Sequence, residues 1–371
     1  MSARLIAFYL PQYHPIPEND EWWGKGFTEW TNVAKAKPLF PGHYQPNLPA
    51  DLGFYDLRVP ETRIAQAELA RAHGIEGFCY WHYWFGNGKR LLERPFNEVL
   101  KSGQPNFPFC LGWANHTWSG IWDGCPNRIL VQQTYPGKED YKAHFETVVE
   151  SFADDRYMKV NGKPIFVVFQ PNDLPNSVEF TDYWRELAIK AGFPDLYLVG
   201  LCSDLTWEPK LHGFDAFTSH PPRDIAIRIP KKFFNRVSAK LRRHLSLPTV
   251  YDYKTLVDYA IPKVPSSLPF LPTIVPNWDN TPRSGANGVI FQHSTPELFG
   301  EKLRKAIQFV SPKPVEEQII FIKSWNEWAE GNYLEPDRRF GKAYLEAIKA
   351  EIVELNAGDA LIPIQPEMIC K

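Results

Sequence analysis

A (β/α)8 barrel of the α/β class is the fold this sequence predicts, and three observations predict it. Short β-branched and aromatic runs alternate with helical stretches along the 371 residues, as a parallel sheet requires. Eight such runs are present, enough to close a barrel. The unusual residues follow the runs directly, and a barrel gathers the C-terminal ends of its strands on one rim. The rival is an open, doubly wound sheet, which announces itself with a Gly-rich first turn. Here the first strand runs instead into Leu10-Pro11-Gln12-Tyr13-His14-Pro15.

In chain order, the first strand is expected at Leu5–Leu10. A helix follows at Glu61–His73, with Ile64, Ala67, Leu69 and Ala72 on an apolar face and Gly74 as its stop. Strands are expected at Gly77–Tyr80 and Phe109–Trp113, a helix at Tyr141–Phe152, a strand at Ile165–Phe169 and a helix at Val178–Ala191. Strands Leu196–Gly200 and Asp215–Phe217, helix Thr255–Ala260 and strand Leu271–Ile274 come next. Helix Pro296–Val310, strand Ile319–Ile322 and helix Gly341–Leu355 complete the set. There is no 20–50-residue repeat and no low-complexity tract. Residues 1–371 read as a single barrel domain with loop insertions at about 11–60 and 221–250.

Composition narrows the function classes. A hydrophobic share of 44% with 23% charged residues is globular rather than disordered. A formal net charge of −2 argues against nucleic acid as partner. No apolar run reaches the roughly 18 residues of a membrane span. The N-terminal apolar run breaks at Pro11 and Gln12, too soon for a signal peptide. Cys79, Cys110, Cys125, Cys202 and Cys370 show no C-x-x-C spacing, so neither a disulfide framework nor structural zinc is expected. A reduced, cytoplasmic protein is the resulting expectation. One segment stands apart in charge. Arg223, Arg228, Lys231, Lys232, Arg236, Lys240, Arg242 and Arg243 face Asp224 alone, and Phe233, Phe234, Val237, Leu241 and Leu245 supply an apolar stripe. Segment 223–243 fits either a solvated insertion helix or a peripheral contact with a membrane or an acidic glycan.

Aromatic residues make up 15% of the chain, and many sit in turns. Sugar clefts use such faces, because a pyranose ring packs its C–H groups on a π-surface. The rim clusters supply the candidate substrate contacts. They are Tyr9, Tyr13 and His14 after the first strand, Trp30 beyond it, and Trp81, His82, Tyr83 and Trp84 after the second. Trp113, Asn115, His116 and Trp118 follow the third strand, Gln170 the fourth, and Asn277, Trp278 and Asp279 the seventh. Trp325, Asn326, Trp328 and Glu335 follow the eighth, together with Glu327 and Glu330. Desolvating neighbours should raise at least one of these carboxyl pKa values towards neutrality. Cleaving a glycosidic bond needs two carboxyl groups, one to protonate the leaving oxygen and one to assist attack. The competing reading is a structural ion pair with Arg338 and Arg339. No metal-ligand spacing, G-x-S-x-G elbow, P-loop, G-x-G-x-x-G or D-x-D motif is present, so no metal or cofactor is expected.

Five stretches resemble the WbsX-like family. They are Phe8 to Pro15, Trp22 to Trp30, Asp51 to Arg58, Gly77 to Phe85 and the motif Trp325-Asn326-Glu327-Trp328-Ala329-Glu330-Gly331. That family carries the label glycosyltransferase and is related to glycoside hydrolase family 99, the endo-α-mannosidases. The resemblance covers roughly Ala3 to Leu355. It implies a (β/α)8 barrel of bacterial origin, associated with surface-polysaccharide loci. By the same match, Glu327 takes the place of the base that deprotonates the sugar 2-hydroxyl, and Glu330 that of the acid/base serving the leaving group. The 2-oxygen then attacks the anomeric carbon, and water opens the 1,2-anhydro sugar with net retention. One position departs from the pattern. Many relatives read Trp-Ala-Asn-Glu after the third strand, whereas His116 stands here. The expectation is therefore a retaining, endo-acting glycoside hydrolase on an α-linked, manno-type oligo- or polysaccharide. A glycosyltransferase of polysaccharide assembly and a silent glycan-binding barrel are the alternatives.

Overall fold

The computed structural model describes residues 3–120, 125–219, 221, 247–259, 261–265 and 268–359. Segment 223–243 therefore lies outside the described residues. Eight parallel strands form the central sheet: β1 (Arg4–Tyr9), β2 (Gly77–Trp84), β3 (Phe109–Trp113), β4 (Lys163–Val168), β5 (Tyr197–Leu201), β6 (Ala216–Thr218), β7 (Phe270–Leu271 and Thr273–Ile274) and β8 (Ile319–Ile322). Each strand pairs with the next in sequence, and β8 returns to β1 with Arg4 opposite Ile319. Pro272 divides β7. Its first half pairs with β6 and its second with β8, so the two ends of the sheet meet in one strand and close the barrel. A proline cannot donate to the ladder, which accounts for the break there.

Helices α1 (Pro60–Ala72), α2 (Arg94–Ser102), α3 (Lys138–Ala153), α4 (Ser177–Lys190), α5 (Pro296–Val310) and α6 (Ala343–Asp359) accompany the strands. In α5, Pro296 occupies the first turn and the Thr295 hydroxyl accepts from Leu298 N. Phe299, Leu303, Ala306, Ile307 and Val310 are its buried stripe.

Three features differ from the sequence expectation. The stretch 11–60 is not merely loop, since it holds helices Pro17–Trp23 and Glu29–Lys35. A Thr28/Thr31 capping box starts the second of these. Helix α2 was not foreseen, although Pro95 opens it and Gly103, at φ 70°, closes it. Finally, Thr249–Asp252, Val289–Gln292 and Trp278–Asp279 form a small separate sheet, so the 221–250 insertion ends in a strand.

Candidate functional site

The alternation of side chains along a strand decides which aromatics reach the barrel mouth. Strand β2 runs to Trp84, four residues past its expected end. Trp81 and Tyr83 consequently point into the mouth, where Trp81 stacks on Phe8 at 4.7 Å. Tyr80, His82 and Trp84 point outwards. The His82 and His144 Nε2 atoms lie 2.9 Å apart, and Trp84 donates to Asp140 Oδ2 at 3.0 Å, both partners belonging to α3. Trp113 likewise packs against His144 and Phe180 and donates to the Trp84 carbonyl. Three rim candidates, His82, Trp84 and Trp113, thus sit in the helix–sheet layer rather than in a cleft.

A cavity of about 400 Å³ opens at the mouth. From the candidate set it brings together Trp81, Tyr83, His116, Trp118, Trp278, Glu327 and Glu330. Leu10, Gln12, Ala114, Phe169, Asn280, Arg283 and Lys323 complete its lining, and sequence reasoning had passed over these. The remaining candidates build the walls. Tyr9 donates to Gln66 on α1. Tyr13, Trp30 and Tyr55 pack together beneath the β8 loop, where the Tyr13 hydroxyl bonds the Asn326 carbonyl. His14 is buried, and its pKa is pushed down to about 4 by burial. The Asn115 amide bonds the Gln170 backbone through both its oxygen and its nitrogen. Asn326 does the same to Leu10, tying the β8 loop to β1. Asn277 accepts from Tyr333 N, and Asp279 accepts from His43 and Gln45 at 2.7 Å each. Trp325 and Trp328 are fully buried. Glu335 is also buried, accepting from Trp328 Nε1, Gln66 Nε2 and Tyr55 OH at 2.6–2.8 Å. Burial carries its pKa up to about 7 against those hydrogen bonds.

The carboxylate pair lies on one tight turn. Glu327 ends the two-residue strand Asn326–Glu327, and Glu330 closes the 3₁₀ turn Trp328–Glu330. Residues three apart overlie one another on a 3₁₀ turn, so both side chains reach the same cavity. The ion-pair partners are not Arg338 and Arg339. The Arg338 backbone N–H bonds Leu48, and the Arg339 guanidinium lies over Tyr44. The partners are Lys323, 3.3 Å from Glu327 and 3.6 Å from Glu330, and Arg283, 2.6 Å from Glu330. The second edge of Arg283 meets the fully buried Glu29 at 2.8 Å. The Lys323-to-Glu327 spacing of four residues was the available signal for the lysine. For Arg283 there was none, because helix Thr281–Ser284 follows the small sheet rather than a barrel strand.

These surroundings separate the two carboxyls. Burial raises the Glu327 pKa, and Lys323 only partly offsets it. Burial also opposes ionisation of Glu330, but Lys323 and Arg283 together outweigh it and hold that carboxyl below the ordinary glutamate range. Burial lowers the His116 pKa to about 4, leaving a neutral ring against Phe169. Gln12 Nε2 and Trp278 Nε1 are buried without a hydrogen-bond partner among the described residues. They are donors available to a polyhydroxylated ligand. Among the described residues no group of three or more His, Cys, Asp or Glu is arranged to hold a metal, and no helix is long and apolar enough to cross a membrane.

Comparison with known proteins agrees with this architecture. The family model described as glycosyltransferase WbsX matches residues 5–348. Uncharacterized protein WxcX of Xanthomonas campestris pv. campestris, from strains B100 and ATCC 33913, is 38% identical over 354 residues. That alignment covers 94% of this chain and 49% of the relative, so the chain spans about half the length of the curated relatives it matches. Among solved structures, a glycoside hydrolase-like protein superposes with a TM-score of 0.60 at 15% identity, covering 95% of this chain and 94% of the other. The GH99 endo-alpha-mannosidase from Bacteroides thetaiotaomicron gives 0.54 at 15% identity, covering 96% and 98%. At that identity the likeness is one of fold.

Proposed function

Because the chain belongs to the glycosyltransferase WbsX family, we propose that it is a glycan-processing enzyme, specifically a retaining, endo-acting glycoside hydrolase. Its substrate would be an α-linked, manno-type chain of a bacterial surface polysaccharide. The observation that carries this reading is the Glu327–Glu330 pair on one turn in an aromatic-walled cavity. Glu327 takes the proton of the sugar 2-hydroxyl, Glu330 protonates the leaving oxygen, and the 2-oxygen closes on the anomeric carbon. Water then opens the anhydro sugar with the proton movements reversed. Trp81, Trp118 and Trp278 supply faces for the sugar rings.

A glycan screen with reducing-end detection tests the reading. Wild-type protein should release reducing ends, and Glu330→Gln should lose on the order of 10²–10⁴ in rate with glycan affinity kept, the contribution expected of one general acid. Retention of activity within a few-fold removes Glu330 from the role. The family description favours transfer as a second reading, in which an acceptor hydroxyl replaces water at the same pair. Turnover of an activated sugar donor without release of reducing ends from polysaccharide would establish that reading instead.

A further inference from the structure

One amine joins the two carboxylates. Lys323 Nζ faces Oε2 of both Glu327 and Glu330, and lies over the Trp278 ring at 5.2 Å. Glu330 also receives the Arg283 guanidinium. Among the described residues, the donors to Glu327 besides the lysine are neutral, namely Ser324 Oγ and Asn332 Nδ2 at 3.2 Å each. Among the described residues, with every group ionised, Lys323 and Arg283 face Glu29, Glu327 and Glu330, two cations against three carboxylates at a buried site. A buried charge without a partner is strongly disfavoured. The other titratable groups facing the pair among the described residues do not supply the missing charge. Tyr83 is held neutral by burial, and His116 is neutral as well. One proton shared by the carboxylate pair removes that imbalance among the described residues. The carboxyl with fewer cations beside it, Glu327, is its resting place.

Protonation of a leaving oxygen by Glu330 needs that proton on the other carboxyl. We propose that Lys323 relays it. The Lys323 ammonium gives a proton to Glu330, while its Nζ takes the proton of Glu327. Glu327 becomes the carboxylate, Glu330 becomes the neutral acid, and the lysine ends charged as it began. The inference rests on the proposed role of Glu330. At 3.6 Å, the nitrogen must close on Glu330 before the transfer. A sugar hydroxyl on Glu327 favours the new carboxylate by hydrogen bonding to it. Arginine retains the positive charge but does not surrender a proton near neutral pH. Lys323→Arg therefore separates relay from simple charge neutralisation.

The experiment compares wild type, Lys323→Arg, Glu327→Gln and Glu330→Gln on polysaccharide and on an aryl glycoside with an activated leaving group, which needs no acid. Lys323→Arg should lose roughly 10²-fold on polysaccharide, at the lower end of general-acid effects. On the aryl glycoside, which needs no acid but still needs Glu327 ionised, it should lose less than on polysaccharide, and that loss should shrink as pH rises. Its polysaccharide rate should rise as pH falls, because Glu330 must then draw its proton from solvent. A wild-type rate and pH profile for Lys323→Arg overturns the relay and leaves the proposed function standing. Retained aryl glycosidase activity in Glu327→Gln, with Glu330→Gln inactive, also overturns it, because Glu327 would then be the acid. Absence of reducing-end release by wild type removes the proposed function and the relay with it. Should Lys323→Arg fail to fold, the wild-type pH profiles on the two substrates decide. A wild-type rate on polysaccharide that falls at both low and high pH, with the aryl glycoside losing only the high-pH limb, supports Glu330 acting as the neutral acid, and identical profiles on the two substrates overturn the relay.

Discussion

Glu327 and Glu330 are the same residue type on one turn, yet their surroundings push them in opposite directions. Arg283 makes the difference, since Lys323 touches both and the guanidinium touches only Glu330. His116 works by another route. It adds no charge to the cavity that its ring lines, and a neutral imidazole offers a sugar hydroxyl one hydrogen bond. His116→Ala should therefore weaken glycan binding roughly two- to tenfold, the span of one net hydrogen bond. Calorimetric titration of the Glu330→Gln background, with and without the second substitution, reads this directly. An unchanged Kd would show that the glycan bypasses this wall. The identities of both carboxylates were legible in the sequence, because Glu is unusual among Trp, Asn and Tyr after an apolar strand. Their cations were not. Lys323 directly follows the apolar strand Ile319–Ile322 and drew no notice, and Arg283 reaches the cavity from an element 44 residues before Glu327 in the numbering.

Within elements, strand alternation explains which aromatics belong to the site. The eight barrel strands were readable because each is a short apolar run, and Phe109–Trp113 and Ile319–Ile322 match their expected bounds. Aromatic enrichment after the strands was read as a single rim property. In β2, period two instead sends Trp81 and Tyr83 to the cavity and His82 and Trp84 to α3. Extending β2 through its aromatic residues would have revealed this, since β-propensity favours Tyr and Trp. Two substitutions make the distinction measurable. Trp118 lines the cavity and packs edge-on against Tyr83 at 5.1 Å. Trp118→Ala should lower glycan affinity about tenfold with a modest change in stability. Trp113 is 1% exposed and sits among His144, Phe180 and Tyr135. Trp113→Ala should cost about 3–5 kcal/mol of stability, with Kd unchanged under conditions where the variant is folded. Urea unfolding and fluorescence titration separate the two effects. Equal losses of affinity in both variants would contradict the assignment of faces.

For the molecule as a whole, buried neutral imidazoles set the response to acid. Burial pushes the pKa of His82 down to about 3 and those of His14 and His116 to about 4, from an ordinary 6.5. His144, held against His82, is lowered as well, by burial first and by its partner second. In each case the folded state resists a proton that the unfolded chain accepts. Stability is therefore fully present above about pH 6.5 and declines as pH falls towards the folded values, by up to about 1.4 kcal/mol per pH unit for each histidine. Glu335 acts in the opposite sense. Its folded pKa of about 7 exceeds the ordinary 4.5, so its contribution is present at low pH and is lost as pH rises between those values. Glu327 and Glu351, also raised by burial, act with Glu335. Between pH 4.5 and 6.5 the two trends oppose, and four imidazoles outweigh these carboxyls. Net stability should thus fall from pH 7 to pH 5, as read from urea midpoints with the slope m held constant. His82→Gln should be less stable at pH 7 but should show a shallower decline, because one depressed imidazole is gone and His144 keeps only part of its shift. A stability that stays flat or rises on acidification would mean that these histidines take up protons without unfolding, and that the His82–His144 contact is not held as a neutral pair.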